Sequence, residues 1–244
     1  MSKNKTILII GASSDIALAV AHKFASEGYN LQLAARNSYE LETVSKDLQI
    51  RYQVDISLHE LDILEFSSFQ NFIESLSIIP DIAISVVGKL GNQKEDELSI
   101  IDSSLIMKTN YEGPSLLLGE IANLFEKRKS GTIIGISSVA GERGRASNYI
   151  YGSAKAGFSS TLSGLRNRLY TSNIRVLTVL PGYVKTKMTQ GMELPYFLTS
   201  SPEEISTLVF RNIKKSKVVY PFPWNIVMAF IKLIPEKLFM VLKL

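Results

Sequence analysis

Tyr151 and Lys155 stand four residues apart in Tyr151-Gly152-Ser153-Ala154-Lys155, and Ser138 lies thirteen residues before Tyr151. If residues 151–168 are helical, positions i and i+4 share a face, and an ammonium sits beneath a phenol. A free phenol titrates near pH ~10, whereas a cation beside it favours the phenolate and lowers that value. Such a phenol can give and take protons near neutrality. The Ser138 hydroxyl would supply a hydrogen bond to the oxygen that receives the proton. A surface aromatic beside a solvated lysine reads the same way, so the rest of the chain has to decide.

The elements that would position these groups alternate along the chain. Apolar strand-like runs occur at 6–10, 30–34, 57–61, 82–87, 131–137, 175–180 and 217–220. Between them, helical periodicity appears at Ile16, Val20, Ala21 and Phe24, then at 39–48, 67–76, 105–125 and 154–170. Alternating strands and helices predict an α/β doubly wound fold, a mostly seven-stranded parallel sheet with helices on both faces. Strands this uniformly apolar belong where both faces are buried. Residues 1–220 read as one domain and 221–244 as a C-terminal helical extension, not an independent domain.

Composition narrows the chemistry. The 244 residues are 45% hydrophobic and 20% charged, enough apolar material for a proper core. With no cysteine there is no disulfide framework, thiol nucleophile or Cys-ligated zinc, which fits a reducing cytoplasmic setting. His22 and His59 lack metal-ligand spacing, so no metal site is expected. The run Ile7-Leu8-Ile9-Ile10 passes directly into Gly11-Ala12-Ser13-Ser14 and reads as a first strand rather than a signal peptide. Nothing reaches the roughly 20 apolar residues needed to span a bilayer.

In doubly wound folds the first strand-to-helix turn cradles phosphates. Here it is Ile10-Gly11-Ala12-Ser13-Ser14-Asp15-Ile16-Ala17. Gly11 permits a tight turn, and the following helix points N–H groups at an anion. Only the first glycine of the dinucleotide fingerprint is present, so the turn reads equally as a helix start with Ser14 or Asp15 as N-cap.

Taken together, Gly11, Asn110 in Lys108-Thr109-Asn110, Ser138, Tyr151, Lys155 and Pro181-Gly182-Tyr183-Val184-Lys185-Thr186 resemble the short-chain dehydrogenase/reductase superfamily. The resemblance runs from residue 5 to about 220 and implies a Rossmann-type domain that binds a nicotinamide cofactor. Two segments depart from it. Asp15 and Ala17 replace glycines of the phosphate turn, with Asp15 expected to turn back and cap the helix. Ser85-Val86-Val87-Gly88 replaces Asn-Asn-Ala-Gly, keeping only the glycine.

The resemblance implies roles. Tyr151 protonates a ketone, Ser138 orients it, Lys155 lowers the tyrosine pKa and bonds the nicotinamide ribose, and Asn110 holds a relay water. Cofactor contacts would come from Gly11, Ser13, Ser14, Asp15, Ile16, Gly88, Tyr151, Lys155, Pro181, Gly182, Val184 and Thr186, the last toward the carboxamide. Asp62 in Leu61-Asp62-Ile63 would meet the adenine. After the second strand, Ala35 occupies the place of the acid that an NAD enzyme presents. Arg36 follows, and with Asn37 and Ser13 it suits a 2′-phosphate, which predicts NADP(H). A solvated arginine at a strand end is the plainer reading.

Residues 182–202 correspond to the family's substrate lid and carry Met188, Met192, Leu194, Tyr196, Phe197 and Leu198. They line a partly apolar pocket or simply pack on the domain. From Arg211 onward, Arg211, Lys214, Lys215, Lys217, Lys232, Lys237 and Lys243 face a single acid, Glu236, a net of +6 in a chain of +4. Interleaved with Phe222, Trp224, Phe230 and many aliphatics, they suit an anionic membrane interface. Packing on the domain or across a homo-dimer or homo-tetramer fits the same tail. In the superfamily, helices at about 103–127 and 153–170 form that oligomer. Nucleic acid is not an expected partner, because the basic residues sit among bulky aliphatics.

With Gly88-Lys89-Leu90-Gly91-Asn92-Gln93, the tail resembles the branch that includes the decaprenylphosphoryl-ribose keto-reductases. The expected activity is therefore NADPH-dependent reduction of a hydrophobic ketone or a lipid-linked keto-sugar. A soluble 3-ketoacyl or general carbonyl reductase is the alternative, and a non-catalytic nucleotide-sensing or scaffold protein the second.

Overall fold

The computed structural model describes residues 5–242, so Lys243 lies outside the described residues. The chain runs β1 (Thr6–Ile10), α1 (Asp15–Ser26), β2 (Asn30–Ala35), α2 (Glu42–Tyr52), β3 (Ile56–Glu60), α3 (Phe69–Ser75) and β4 (Ile82–Ser85). It continues α4 (Gln93–Asp96), α5 (Ile100–Met107), α6 (Gly113–Arg128), β5 (Gly131–Ile136), α7 (Tyr149–Arg168) and β6 (Ile174–Val179). Then come β7 (Tyr183–Val184), β8 (Thr199–Ser200), α8 (Pro202–Asn212), β9 (Val218–Val219), α9 (Trp224–Leu233) and α10 (Glu236–Phe239).

Seven parallel strands form the sheet in the order β3-β2-β1-β4-β5-β6-β9. The order reverses between β1 and β4, and ligands bind in the crevice that such a reversal opens at the strands' carboxyl ends. β1 shows how the sequence writes two layers. Ile7 and Ile9 join a core with Phe24, Leu48 and Val209 under α1, α2 and α8, while Leu8 and Ile10 join Phe72, Leu118, Phe125 and Phe158 under α3, α6 and α7. Alternate side chains point to opposite faces, so a strand buried on both sides is apolar throughout. This is the doubly wound α/β fold expected from the alternation.

Three local features differ from the sequence reading. The helical stretch at 105–125 is broken by a π-helical turn at Lys108–Glu112 that holds Asn110. Residues 183–184 and 199–200 pair as a small separate parallel sheet, closing the base of the lid. The final strand is two residues long and pairs with β6 at Thr178 and Val179.

The tail packs on the domain through one face. Trp224 and Met228 are buried with Val139 and Leu180 in a third apolar cluster at the sheet's carboxyl end. The Arg143 guanidinium donates to the carbonyls of Ile231 and Ile234, both at 2.6 Å, and pairs with Glu236. Its Cζ lies 3.8 Å from the Phe239 ring centroid. Carbonyls at a helix end lack intrahelical partners, so Arg143 acts as a C-terminal cap from another part of the chain. The opposite face of α9 exposes Ile226, Phe230 and Leu233. Among the described residues no helix is long and apolar enough to cross a membrane.

Candidate active site

Ser138 lies two residues past the end of β5 and caps a short turn at Val139–Gly141, while Tyr151 and Lys155 lie in the first two turns of α7. Two glycines let these segments touch. A Cβ at Gly152 would lie 2.8 Å from the Ala140 carbonyl oxygen, and one at Gly141 would lie 2.6 Å from the Ala156 nitrogen. Ser137 then pins the helix, donating to the Lys155 carbonyl at 2.9 Å and bonding the Ser159 hydroxyl at 2.7 Å. Spacing puts Tyr151 and Lys155 on one helix, and these small residues bring Ser138 beside them.

Lys155 is buried, and its Nζ donates to the carbonyls of Val87 at 3.1 Å and Ile136 at 3.3 Å. It sits 5.8 Å from the Tyr151 ring centroid. Burial pulls the lysine pKa down to about 7. Burial also pushes the Tyr151 phenol up to about 12, with the Ser138 hydroxyl drawing it part of the way back. The expected lowering by Lys155 is thus overturned. Desolvation disfavours the charged form of both groups, and a lysine that itself sheds its proton near neutrality is a weak cation. A phenol that keeps its proton across the ordinary pH range is suited to donate it.

Asn110 is fully buried and, like the Lys155 ammonium, borders Gly88. Its Nδ2 donates to the carbonyls of Lys89 at 2.7 Å and Ile106 at 2.9 Å, and its Oδ1 accepts from the Lys89 N–H at 3.1 Å. Both amide hydrogens are therefore committed to backbone, which makes Asn110 a tie for the loop after β4. A relay water could use only the remaining Oδ1 lone pair or the main chain.

Two cavities meet at the switch point. The first, of about 320 Å³, is lined by Ser138, Tyr151, Lys155, Asp15, Ile16, Pro181, Gly182, Val184 and Thr186. The second, of about 900 Å³, is lined by Gly11, Arg36, Asn37, Asp62 and Ile63. Ser13, Ser14, Val87, Gly88, Lys187 and Met188 border both, so they form one continuous groove. Every expected cofactor residue lines one cavity or the other.

The floor is shaped for close approach. Gly11 has φ +83°, and a Cβ there would lie 3.0–3.2 Å from Val87. A Cβ at Gly88 would meet Asn110 at 3.4 Å, Met188 at 3.5 Å and the Lys155 Nζ at 3.6 Å. Glycine keeps both positions open to an extended ligand. Ser14 is the N-cap of α1, accepting from the Ala17 N–H at 3.3 Å. Asp15 does not cap the helix as expected, since Ser14 has already taken that place. Its carboxylate instead accepts from the Lys187 N–H at 2.6 Å, across the groove.

At the far end, the Glu60 carboxylate accepts from the N–H groups of Asn37 and Ser38, both at 2.8 Å, which holds its pKa below the usual range. This fixes the turn carrying Arg36, with Asn37 in the left-handed region at φ +53°. Asp62 accepts from the Leu64 N–H at 2.9 Å. Ser85 replaces one of the asparagines of the resemblance, and its buried hydroxyl has no partner among the described residues.

The wall of the first cavity also includes Leu90, Tyr183, Met188, Met192, Trp224, Arg145 and Asn148. Trp224 comes from the tail, with its Nε1 donating to the Leu198 carbonyl at 2.8 Å and its ring against Gly182. Of the lid residues, Met188 and Met192 line the cavity while remaining partly exposed, and Tyr196 and Phe197 are almost fully exposed. Glu60, Arg145 and Asn148 went unread in the sequence. Arg145 and Asn148 had one available signal, their place in the loop between Ser138 and Tyr151.

Comparison with known proteins gives a consistent result. The family described as short chain dehydrogenase matches residues 5–195. An uncharacterised oxidoreductase of Mycobacterium tuberculosis is 31% identical over 230 residues, covering 93% of this chain and 92% of that protein. The NADP-dependent 3-hydroxy acid dehydrogenase of Schizosaccharomyces pombe is 32% identical over 188 residues, covering 75% and 73%. Among solved structures, a short-chain dehydrogenase from Sphingobium yanoikuyae in complex with NADPH superposes with a TM-score of 0.78 at 22% identity, covering 95% and 97%. A 3-oxoacyl-[acyl-carrier protein] reductase from Brucella melitensis gives 0.80 at 17% identity, covering 89% and 90%. These two likenesses bear on the fold.

Proposed function

The chain belongs to the short-chain dehydrogenase family of oxidoreductases, and from that premise we propose that it is an NADPH-dependent ketone reductase. One observation carries this reading: a single groove runs from an exposed arginine, Arg36, to a proton-bearing tyrosine, Tyr151, past two glycines that leave its floor open. Arg36, Asn37, Ser13, Asp62 and Ile63 would hold the adenosine end of a dinucleotide. Gly11, Ser14 and the start of α1 would hold its pyrophosphate, and Ile16, Gly88, Pro181, Val184 and Thr186 its nicotinamide. NADPH when bound supplies the hydride.

The chain's own groups do the rest. Tyr151 gives its proton to the ketone oxygen as that oxygen gains charge, and the Ser138 hydroxyl donates to the same oxygen. Lys155 and Asn110 hold the floor of the site. Ala35 leaves the acid position empty of charge, and Arg36 offers a fork to a 2′-phosphate. The NADP-dependent relative from Schizosaccharomyces pombe supports that preference.

The apolar wall of Leu90, Met188, Met192 and Trp224 favours a hydrophobic ketone, with a lipid-linked keto-sugar as the specific reading. A 3-ketoacyl reductase would use the same wall. We also read the exposed Ile226, Phe230 and Leu233 stripe as a peripheral contact with the cytoplasmic face of a membrane, and α6 and α7 as a homo-oligomer surface. Deleting residues 222–244 does not test the membrane contact cleanly, because it removes Trp224 from the cavity. Phe230→Ser with Leu233→Ser does, read by vesicle co-sedimentation.

The test of the main reading is titration of NADPH and NADH into wild type and Arg36→Ala. NADPH should bind the more tightly, and the variant should lose about 1.5–3 kcal/mol toward NADPH alone. No binding of either cofactor would overturn it.

A further inference from the structure

Arg145 is out of character with the wall it belongs to. The charged residues lining the catalytic cavity are Asp15, Arg145, Lys155 and Lys187. The Asp15 carboxylate accepts from the backbone N–H of Lys187, and the Lys155 ammonium is bonded to the carbonyls of Val87 and Ile136. The Lys187 ammonium has no carboxylate within ion-pair distance among the described residues, but it sits where the two cavities join rather than beside Tyr151. Arg145 has no carboxylate within ion-pair distance among the described residues. Two residues earlier, Arg143 spends its guanidinium on Ile231, Ile234, Glu236 and the Phe239 ring. The fold consumes one arginine of Arg143-Gly144-Arg145 and leaves the other at the cavity.

Asn148 adds to this end of the site. Its backbone N–H donates to the Arg145 carbonyl at 3.1 Å, which fixes the turn carrying both residues. It occupies the N-cap position of the 20-residue α7 but makes no side-chain cap bond. Its Oδ1 is buried and has no partner among the described residues. The start of a long helix contributes positive field to the same corner. A planar guanidinium with five N–H donors matches the oxygens of a phosphate or carboxylate.

We propose that Arg145 is a specificity residue that binds an anionic group, phosphate or carboxylate, carried by the ketone substrate. This rests on the reductase reading of the same cavity and adds the substrate's class: an amphiphile with a ketone at Tyr151, an anion at Arg145 and an apolar chain along Met188, Met192 and Trp224. Asn148 accepts a hydroxyl of the same head group.

Trp224 is the single tryptophan of the chain and lines this cavity, so its emission reports occupancy. The full-length protein, saturated with NADP+, is titrated with octyl phosphate, octanoate, octanol and inorganic phosphate. Octyl phosphate or octanoate should bind at least about tenfold more tightly than octanol, the scale of one charged hydrogen bond. Whichever anion binds better names the substrate's group. Arg145→Gln should bring the anion and the alcohol within about twofold of each other, Arg145→Lys should recover part of the difference, and NADP+ affinity should stay unchanged in both.

Equal binding of anion and alcohol by wild type, or a preference that survives Arg145→Gln, overturns the proposal. Inorganic phosphate binding as tightly as octyl phosphate overturns it too, since the chain would contribute nothing. A wild type that fails to bind NADP+ sinks the reductase reading itself, and this proposal with it.

Discussion

The carboxylate of Asp15 accepts a hydrogen bond from the backbone N–H of Lys187, 172 residues later in the chain, at 2.6 Å. One residue opens α1 and the other opens the short turn Lys187–Thr189 within segment 182–202. Their bond bridges the groove where the two cavities meet. Asp15→Ala should therefore free the lid without unsettling the sheet. Amide hydrogen exchange at residues 186–198 should speed up while β1, β4 and β5 keep their protection. The bond is solvent-exposed, so global stability should fall by less than about 1 kcal/mol. Unchanged exchange in the lid would show that Thr186 and Thr189, which cap the same turn, hold it alone.

Burial of Lys155 has a pH signature. Its folded pKa of about 7 lies below the ordinary 10.5, so between those values the unfolded chain binds a proton that the folded one does not. Stability from this site therefore rises with pH across the window and is lost as pH falls toward 7. Lys155→Met removes the titration, although it strands the carbonyls of Val87 and Ile136. The unfolding free energy of wild type minus that of the variant should climb by up to a few kcal/mol from pH 7 to 10. A flat difference in urea denaturation across that range would show that the lysine is well solvated.

Gly182 and Trp224 are in ring contact, and a methyl at 182 would overlap the indole. Gly182→Ala should expel the ring, at a cost of about 1–3 kcal/mol typical of overpacking. Trp224 emission should shift to the red as the indole reaches water. The wall lost belongs to the substrate end, so KM for an apolar ketone should rise more than the Kd for NADPH. A variant with unshifted emission would mean that the tail moves as a unit to make room.

Arg143 closes the carboxyl end of α9 and pairs with Glu236. Arg143→Met removes the donor shared by two carbonyls, leaving that of Ile234 to water, and removes the cation from the Phe239 ring. Limited proteolysis should then cut within residues 224–240 well before the sheet domain, while Trp224 emission loses its buried character. Glu236 is largely exposed, so Glu236→Gln should have little effect by comparison. Equal protease resistance in wild type and Arg143→Met would place the tail's anchorage in Trp224 and Met228 alone.

Much of this protein is readable along the chain because periodicity is a local property. The alternation of apolar runs at Ile7–Ile10, Leu31–Ala35 and Ile82–Ser85 with helical stretches determines a sheet covered on both faces, since a strand buried on both sides is apolar at nearly every position, Gln32 and Ser85 being the buried polar residues of these three. Four-residue spacing determines that Tyr151 and Lys155 share a helix face. The break at Lys108–Glu112 left no such trace, because a π turn changes the hydrogen-bond register of a helix without interrupting its apolar pattern.

What only the tertiary structure decided are the relationships between distant segments. Arg143 and Arg145 are chemically identical and two residues apart, yet one caps a helix from the tail and the other faces the cavity. Asp15 looks like a cap until Ser14 takes that role and Lys187 arrives from the far side of the groove. Tyr151 beside a lysine reads as an acidified phenol until burial of both groups reverses the sign. Each outcome depends on which side chains the crossovers bring together and how much water they exclude. Desolvation and long-range contact are properties of the packed molecule, and no spacing along the chain encodes them.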